Sequence, residues 1–180
     1  MKRFFCFLAV PILLCFFSCS DNLDVPDDVF SLKAKIFNCS IAPPNNPNFE
    51  DANNNVYAYR ADALFAVPAI QTGGHSTVDE STDLGVNFFF DPSTAQDPNQ
   101  TYNIDSGSGS MNSAYVFYII NGDEYISDGV SGTLTVQKLD LELNGSVIRL
   151  RCSFNEVNVV NNADSNDQLC IKDFELVYND

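Results

Sequence analysis

From Phe30 onward the chain alternates apolar and polar residues in short runs separated by turn-forming clusters, the period-two pattern of strands with one buried face. Phe30, Leu32, Ala34 and Ile36 alternate with Ser31, Lys33 and Lys35, which predicts a first strand from Phe30 to Ile41. Ala42-Pro43-Pro44-Asn45-Asn46-Pro47 ends it, and the polar stretch from Glu50 to Asn55 extends that loop. Val56 to Val67 predicts a strand with Tyr57 and Tyr59 on one face, its later part from Arg60 also suited to a helical turn. Gln71 to Asp83, rich in Gly, Ser, Thr and acids, predicts a loop. Leu84 to Phe90 and Thr101 to Ile104 are the next strands, and Ser106-Gly107-Ser108-Gly109-Ser110 has the composition of a flexible loop tip. Ala114 to Ile120 turns through Asn121-Gly122 into Glu124 to Ile126, and Gly132 to Leu143 turns through Asn144-Gly145 into Val147 to Val157. A polar loop, Asn161 to Asp167, precedes the closing strand, Leu169 to Tyr178.

About eight or nine strands with little helix imply an all-β fold, an antiparallel β-sandwich or small barrel, rather than an α/β fold. Residues 29–180 form one β domain, with no solenoid repeat.

The pattern is different before Phe30. Lys2 and Arg3 precede an uncharged apolar run from Phe4 to Phe17, then Ser18 and Cys19. Basic, apolar, small, cysteine is the layout of a secretory signal peptide. The run falls short of the roughly 20 residues that a spanning helix needs, and Pro11 interrupts it. With a cysteine at the cleavage point, the segment resembles a bacterial lipoprotein signal, in which residues 1–18 are removed and the Cys19 thiol is acylated. Residues 19–28, with Pro26 and four aspartates, read as an acidic tether.

Charge and cysteine content narrow the picture further. The chain carries nine Lys and Arg against 24 Asp and Glu. Without Lys2 and Arg3 seven bases remain, for a net charge of −17. Such a surface repels nucleic-acid phosphates and anionic head groups, so no nucleic-acid role is expected, and membrane contact would come through the lipid alone. Cys6 and Cys15 lie in the removed segment, which leaves Cys39, Cys152 and Cys170 in the domain. An oxidising compartment favours pairing. By residue count Cys152 shares a face with Leu150 and Phe154, and Cys170 with Phe174 and Leu176. A Cys152–Cys170 bridge is therefore the first expectation, with Cys39 as the alternative partner of either.

The acid-rich stretch after Cys19 (Ser20, Asp21, Asn22 and Asp24) resembles the export signal of surface-exposed lipoproteins from Bacteroidota. The opening Phe30-Ser31-Leu32-Lys33-Ala34-Lys35-Ile36 looks like the first strand of a family of small lipoproteins from that group. Gln100-Thr101-Tyr102-Asn103-Ile104, Ser131-Gly132-Thr133-Leu134-Thr135-Val136-Gln137-Lys138-Leu139-Asp140 and Asp173-Phe174-Glu175-Leu176-Val177-Tyr178 carry the same resemblance. The chain departs from it after the first strand, where a Trp is common and this sequence has Cys39 and a long Pro/Asn loop. The resemblance implies an outer-membrane location facing the exterior, the periplasmic face being the alternative. That family has no assigned activity, so no binding or catalytic residue carries over.

His75 is the sole histidine, placed in Thr72-Gly73-Gly74-His75-Ser76 and expected in an exposed loop. No Gly-x-Ser-x-Gly elbow accompanies it, and the Ser106–Ser110 run is its nearest imitation. Calcium is the more credible ligand, since Asn161, Asp164, Asn166 and Asp167 offer hard oxygen donors in one short loop. That loop lacks the glycine and terminal glutamate of an EF-hand. Asp79, Glu80 and Asp83, and the Asp51–Asn55 loop, are weaker versions of the same idea. Six tyrosines (Tyr57, Tyr59, Tyr102, Tyr115, Tyr118 and Tyr125) form an aromatic reserve. Tyr115 and Phe117 share one strand face while Tyr118 takes the other, so one group is available to a glycan or a protein.

The reading is a non-enzymatic, lipid-anchored binding or interaction domain. A lipocalin-like barrel holding a small apolar ligand is the alternative, and a secreted hydrolase stands behind it. Replacing Cys19 by Ser should move the protein from the membrane pellet to the soluble fraction and abolish labelling by a clickable fatty acid. Labelling that survives in the Cys19→Ser variant would refute acylation at that thiol.

Overall fold

The computed structural model describes residues 30–52, 55–65, 67–76, 81–95, 97–130 and 132–180. Cys19, the acidic segment containing Ser20, Asp21, Asn22 and Asp24, and the pair Asp79 and Glu80 lie outside the described residues. The described residues are nearly all strand: β1 (Ser31–Asn38), β2 (Phe49–Ala52), β3 (Val56–Arg60), β4 (Ala69–His75), β5 (Asp83–Phe89), β6 (Gln100–Ile104), β7 (Ser113–Ile120), β8 (Asp123–Ser127), β9 (Thr133–Leu141), β10 (Val147–Asn161) and β11 (Gln168–Asn179). One helical turn, α1 (Asp62–Phe65), follows β3. The all-β expectation holds, and each of the nine expected strands has its counterpart. Two more, β2 and β4, form in stretches whose composition predicts loops. Both are recruited by long-range pairing: β2 pairs with the first half of β1, and β4 lies between β3 and β5.

The strands run in the order β2-β1-β11-β10-β9-β6-β7-β5-β4-β3, with β8 bridging β10 and β7. The path β10-β9-β6-β7-β8 returns to β10 and closes a small ring. One wing, β11-β1-β2, extends from β10, and the other, β5-β4-β3, extends from β7. A single cluster of buried side chains from both wings and the ring fills the interior, including Leu32, Ile70, Phe88, Tyr102, Val116, Leu134, Leu150, Phe154 and Phe174. Phe154 and Phe174 face each other across β10 and β11 and stack at 4.5 Å with rings 3° from parallel.

The ring closes because β10 changes partners along its length. Its first half pairs with β9 up to Ser153, and its last residues, Val159 to Asn161, pair with β8. Between them the alternation of faces breaks: Leu150, Cys152 and Phe154 are buried, Asn155 and Glu156 are both exposed, and Val157 and Val159 are buried. The neighbouring β11 inverts at the same level, where Asp173 takes a positive φ of 53° and burial passes from Phe174 to Ile171. Because both strands invert together, their mutual register is unbroken from Arg149↔Asn179 to Val160↔Gln168. β1 does not invert, so its register with β11 shifts between Lys33 and Lys35. Gly132 lies against this crossing with φ 116°, and a Cβ there would come within 2.8 Å of Val157 Cγ2.

This inversion corrects the expected disulfide. Cys170 bonds Cys39, just beyond the end of β1, and Cys152 is free and buried. Counting by twos through Asp173 places Cys170 with Phe174, but the break at Asp173 turns it to the other side of the sheet. The register settles the matter independently. Cys152 lies opposite Leu176 and Cys170 opposite Asn158, which separates the two cysteines by about 20 Å along the strands. Phe37 pairs with Cys170, which brings Cys39 within reach, at a Cα–Cα distance of 5.0 Å.

The bridge spans 131 residues of chain, and cross-links over such loops contribute about 2–5 kcal/mol. Cys39→Ser should therefore lower unfolding free energy by roughly that amount, whereas Cys152→Ala should cost about 1 kcal/mol, the loss of one small buried group. Denaturant titration measures both. A non-reducing digest should join the peptides holding Cys39 and Cys170, and a Cys152–Cys170 peptide would overturn the assignment.

Candidate functional site

The sandwich has two outer faces of opposite chemistry. On β1, β9, β10 and β11 the outward face carries four ion pairs: Lys35 with Asp173 at 2.8 Å, Lys138 with Asp140 at 3.0 Å, Arg151 with Glu175 at 2.7 Å and Lys172 with Glu156 at 3.3 Å. Exposed pairs of this kind contribute roughly 0–1 kcal/mol each, so they solubilise the sheet more than they hold it. Six of the domain's seven bases lie on these four strands. β4, β5 and β7 carry no lysine or arginine at all.

Their outward face is instead a grid of aromatic, amide and glycine positions fixed by register. The first row is His75–Asp83–Ile119, the second Tyr57–Gly73–Gly85–Phe117, the third Tyr59–Gln71–Asn87–Tyr115. In the second row the two glycines make the space that the flanking aromatics occupy. A Cβ on Gly73 would lie 2.9 Å from the Tyr57 hydroxyl, and one on Gly85 would lie 2.4 Å from the Phe117 ring. The glycines that make this stretch look like a loop are thus required for β4 and β5 to accept rings on their face. Below the third row, Phe65 of α1 and Val67 join its Tyr115 in covering Ala69 and Phe89 as a small second core. The lower end of the sheet is closed in this way, while Tyr59 and His75 stay exposed on β3 and β4.

At the top of the grid Tyr57 donates its hydroxyl to both carboxylate oxygens of Asp83, each at 3.1 Å. His75 belongs to β4 and not to a loop; its ring lies 5.3 Å from that of Tyr57, and its Nδ1 is 3.8 Å from Asp83. Tyr57 and Tyr59 rings are 5.8 Å apart. Burial first, and then the Asp83 charge and hydrogen bond, push the Tyr57 phenol well above its ordinary value. Burial likewise raises Tyr115, helped by Glu124 and by the nearby Tyr59. Tyr59, on the edge strand, is 43% exposed, while Asn87 in the middle of the third row is 2% exposed and its Oδ1 accepts no hydrogen bond.

The other sequence candidates lie outside this grid. Tyr102, Tyr118 and Tyr125 are buried in the main core. The oxygens of the Asn161–Asp167 loop hold its turn: Asn161 Oδ1 accepts from Ala163 N–H at 2.8 Å, and Asp164 Oδ1 accepts from Asn166 N–H at 3.0 Å. Asp167 Oδ2 accepts from the Tyr125 hydroxyl at 2.6 Å. Among the described residues no group of three or more His, Cys, Asp or Glu side chains gathers as a metal site. The Ser106–Ser110 run is organised around Asp105, which accepts from the Gly107 and Ser108 N–H groups at 2.8 and 3.2 Å and from the Ser108 hydroxyl. Burial of Asp105 is outweighed by these donors, and its carboxyl is held below the usual carboxylate range.

No protein-family model, curated protein or solved structure matches this chain.

The Tyr57–Asp83 contact makes a pH prediction. The phenol's pKa is higher folded than unfolded, so its stabilisation is complete below the ordinary value of 10.0 and fades as pH rises through and above it. Tyr57→Phe should cost about 1.5–3 kcal/mol at pH 7, the worth of a hydrogen bond to a carboxylate. It should also flatten the loss of stability between pH 10 and 11.5 in denaturant titrations. An unchanged alkaline slope would show that Tyr57 does not carry it.

Proposed function

We propose that this chain is a non-catalytic binding domain, lipid-anchored through Cys19 at the outer membrane and facing the cell exterior, and that the outer face of β3, β4, β5 and β7 meets its ligand, a glycan or a protein. The observation that carries the reading is the asymmetry of the two sheet faces. One carries four ion pairs, whereas the other concentrates Tyr57, Tyr59, His75 and Tyr115 around amides, and its inner strands β4, β5 and β7 hold no base. Tyr115 is partly used in the second core and Tyr57 in covering Gly73, while Tyr59 and His75 stay exposed on that side although the interior is already filled from the opposite strand faces. The filled interior also favours a surface ligand over one enclosed in the ring.

The anchor and the acid-rich Ser20, Asp21, Asn22 and Asp24 supply the address, and the Bacteroidota lipoprotein resemblance agrees with it. The tether gives the domain reach from the membrane, and its own net negative charge disfavours contact with anionic lipid.

Protease shaving of intact cells tests the display. The wild-type domain should be shaved, and a variant with Asp21, Asn22 and Asp24 replaced by Ala should be protected. Equal resistance in both would sink surface display.

A further inference from the structure

Resting on that reading of the outer face, we infer that its ligand is an uncharged glycan, seated along the row Tyr59–Gln71–Asn87–Tyr115 with sugar rings against the two tyrosines. The row spans three strand spacings, about 14 Å between its end residues, which is room for a short run of sugar units. Tyrosine rings present flat apolar area with a polar tip, the complement of a pyranose whose axial hydrogens make an apolar face rimmed by hydroxyls. Between the rings stand two carboxamides. Gln71 bonds the Tyr57 hydroxyl, and Asn87 keeps an acceptor oxygen with no donor. A buried acceptor in that condition costs roughly 1–3 kcal/mol, and a hydroxyl is the group that relieves it. Asn87 is 2% exposed, so a hydroxyl reaches this oxygen only when the side chains around it rearrange.

Charge selects among glycans. With no base on β4, β5 or β7, with the β3 base Arg60 already paired to Asp62, and with Asp83 and Glu124 bordering the grid, uronates, sulfates and phosphates find no free counter-ion and meet repulsion. A basic peptide would seek Asp83, but that carboxylate is already held by Tyr57 and faced by His75. Hydroxyl-rich neutral ligands match what is left.

Asn87 gives the variant that separates binding from folding. Asn87→Leu removes the unpaired acceptor from a buried position, so stability should be kept or raised. Tyr59→Ala changes an exposed edge residue and should also fold. The full-length protein in detergent, applied to an array of neutral hexose and pentose oligomers and of uronate and sulfated oligosaccharides, should bind neutral members only. Binding should be lost in Tyr59→Ala and weakened at least tenfold in Asn87→Leu. Binding confined to the anionic members, or neutral binding that both variants retain, would overturn the inference. A photo-crosslinking phenylalanine analogue at position 59 on intact cells separates the two levels of argument. Protein capture there without neutral-glycan binding overturns the glycan and leaves the binding face standing, while neither capture nor binding overturns both.

Discussion

The paired inversion of β10 and β11 is the constraint on which the architecture turns. A strand that keeps strict alternation presents one face to one layer. β10 instead serves two, and it does so by exposing Asn155 and Glu156 in succession so that Val157 and Val159 face inward again after the crossing. Without that step the residues that pair with β8 would carry their apolar side chains to solvent, and the ring would stay open. Asp173, held at a positive φ, performs the matching step in β11, so the longest strand pair of the fold crosses the bend without losing register. The same step turns Cys170 outward to Cys39, and the disulfide then fastens the end of β1 to the strand beside it.

Closing the sandwich leaves two outer faces, and the sequence treats them differently. Charges crowd the β1-β11-β10-β9 side, in cross-strand pairs of small individual worth. The β3-β4-β5-β7 side spends its glycines on making room for rings: Gly73 and Gly85 lie side by side, and Tyr57 and Phe117 lean over them from either edge. Aromatic cover over paired glycines keeps a weak stretch of sheet ordered. It also leaves Tyr59 and His75 exposed beside the half-buried Gln71 and Asp83.

Much of this was legible in the residues. The alternation in β1, β5, β7, β9 and β10, and the Asn121-Gly122 turn with both residues at positive φ, follow from local rules. The separation of Tyr115 and Phe117 from Tyr118 also follows from simple alternation, and the structure places the first two on the outer face and the third in the core. β4 was not legible, because Gly73-Gly74 reads as a turn until strands on both sides supply its partners. In the loop expected to offer calcium ligands, the structure adds what sequence does not show: Asn161 and Asp164 accept from backbone N–H groups of the turn, and Asp167 accepts from the Tyr125 hydroxyl.

By itself, then, the sequence determined an all-β domain, its acidity, and the crowding of six of its seven bases into four of its segments, because period, turn chemistry and charge are local properties. Tertiary structure decided which cysteines meet, which strands close the ring, and that His75 and Asp83 share a row with the tyrosines beside them. Those outcomes depend on register and on two breaks in alternation. A single residue out of step exchanges the faces of a strand, and only the packed neighbours determine where that residue falls.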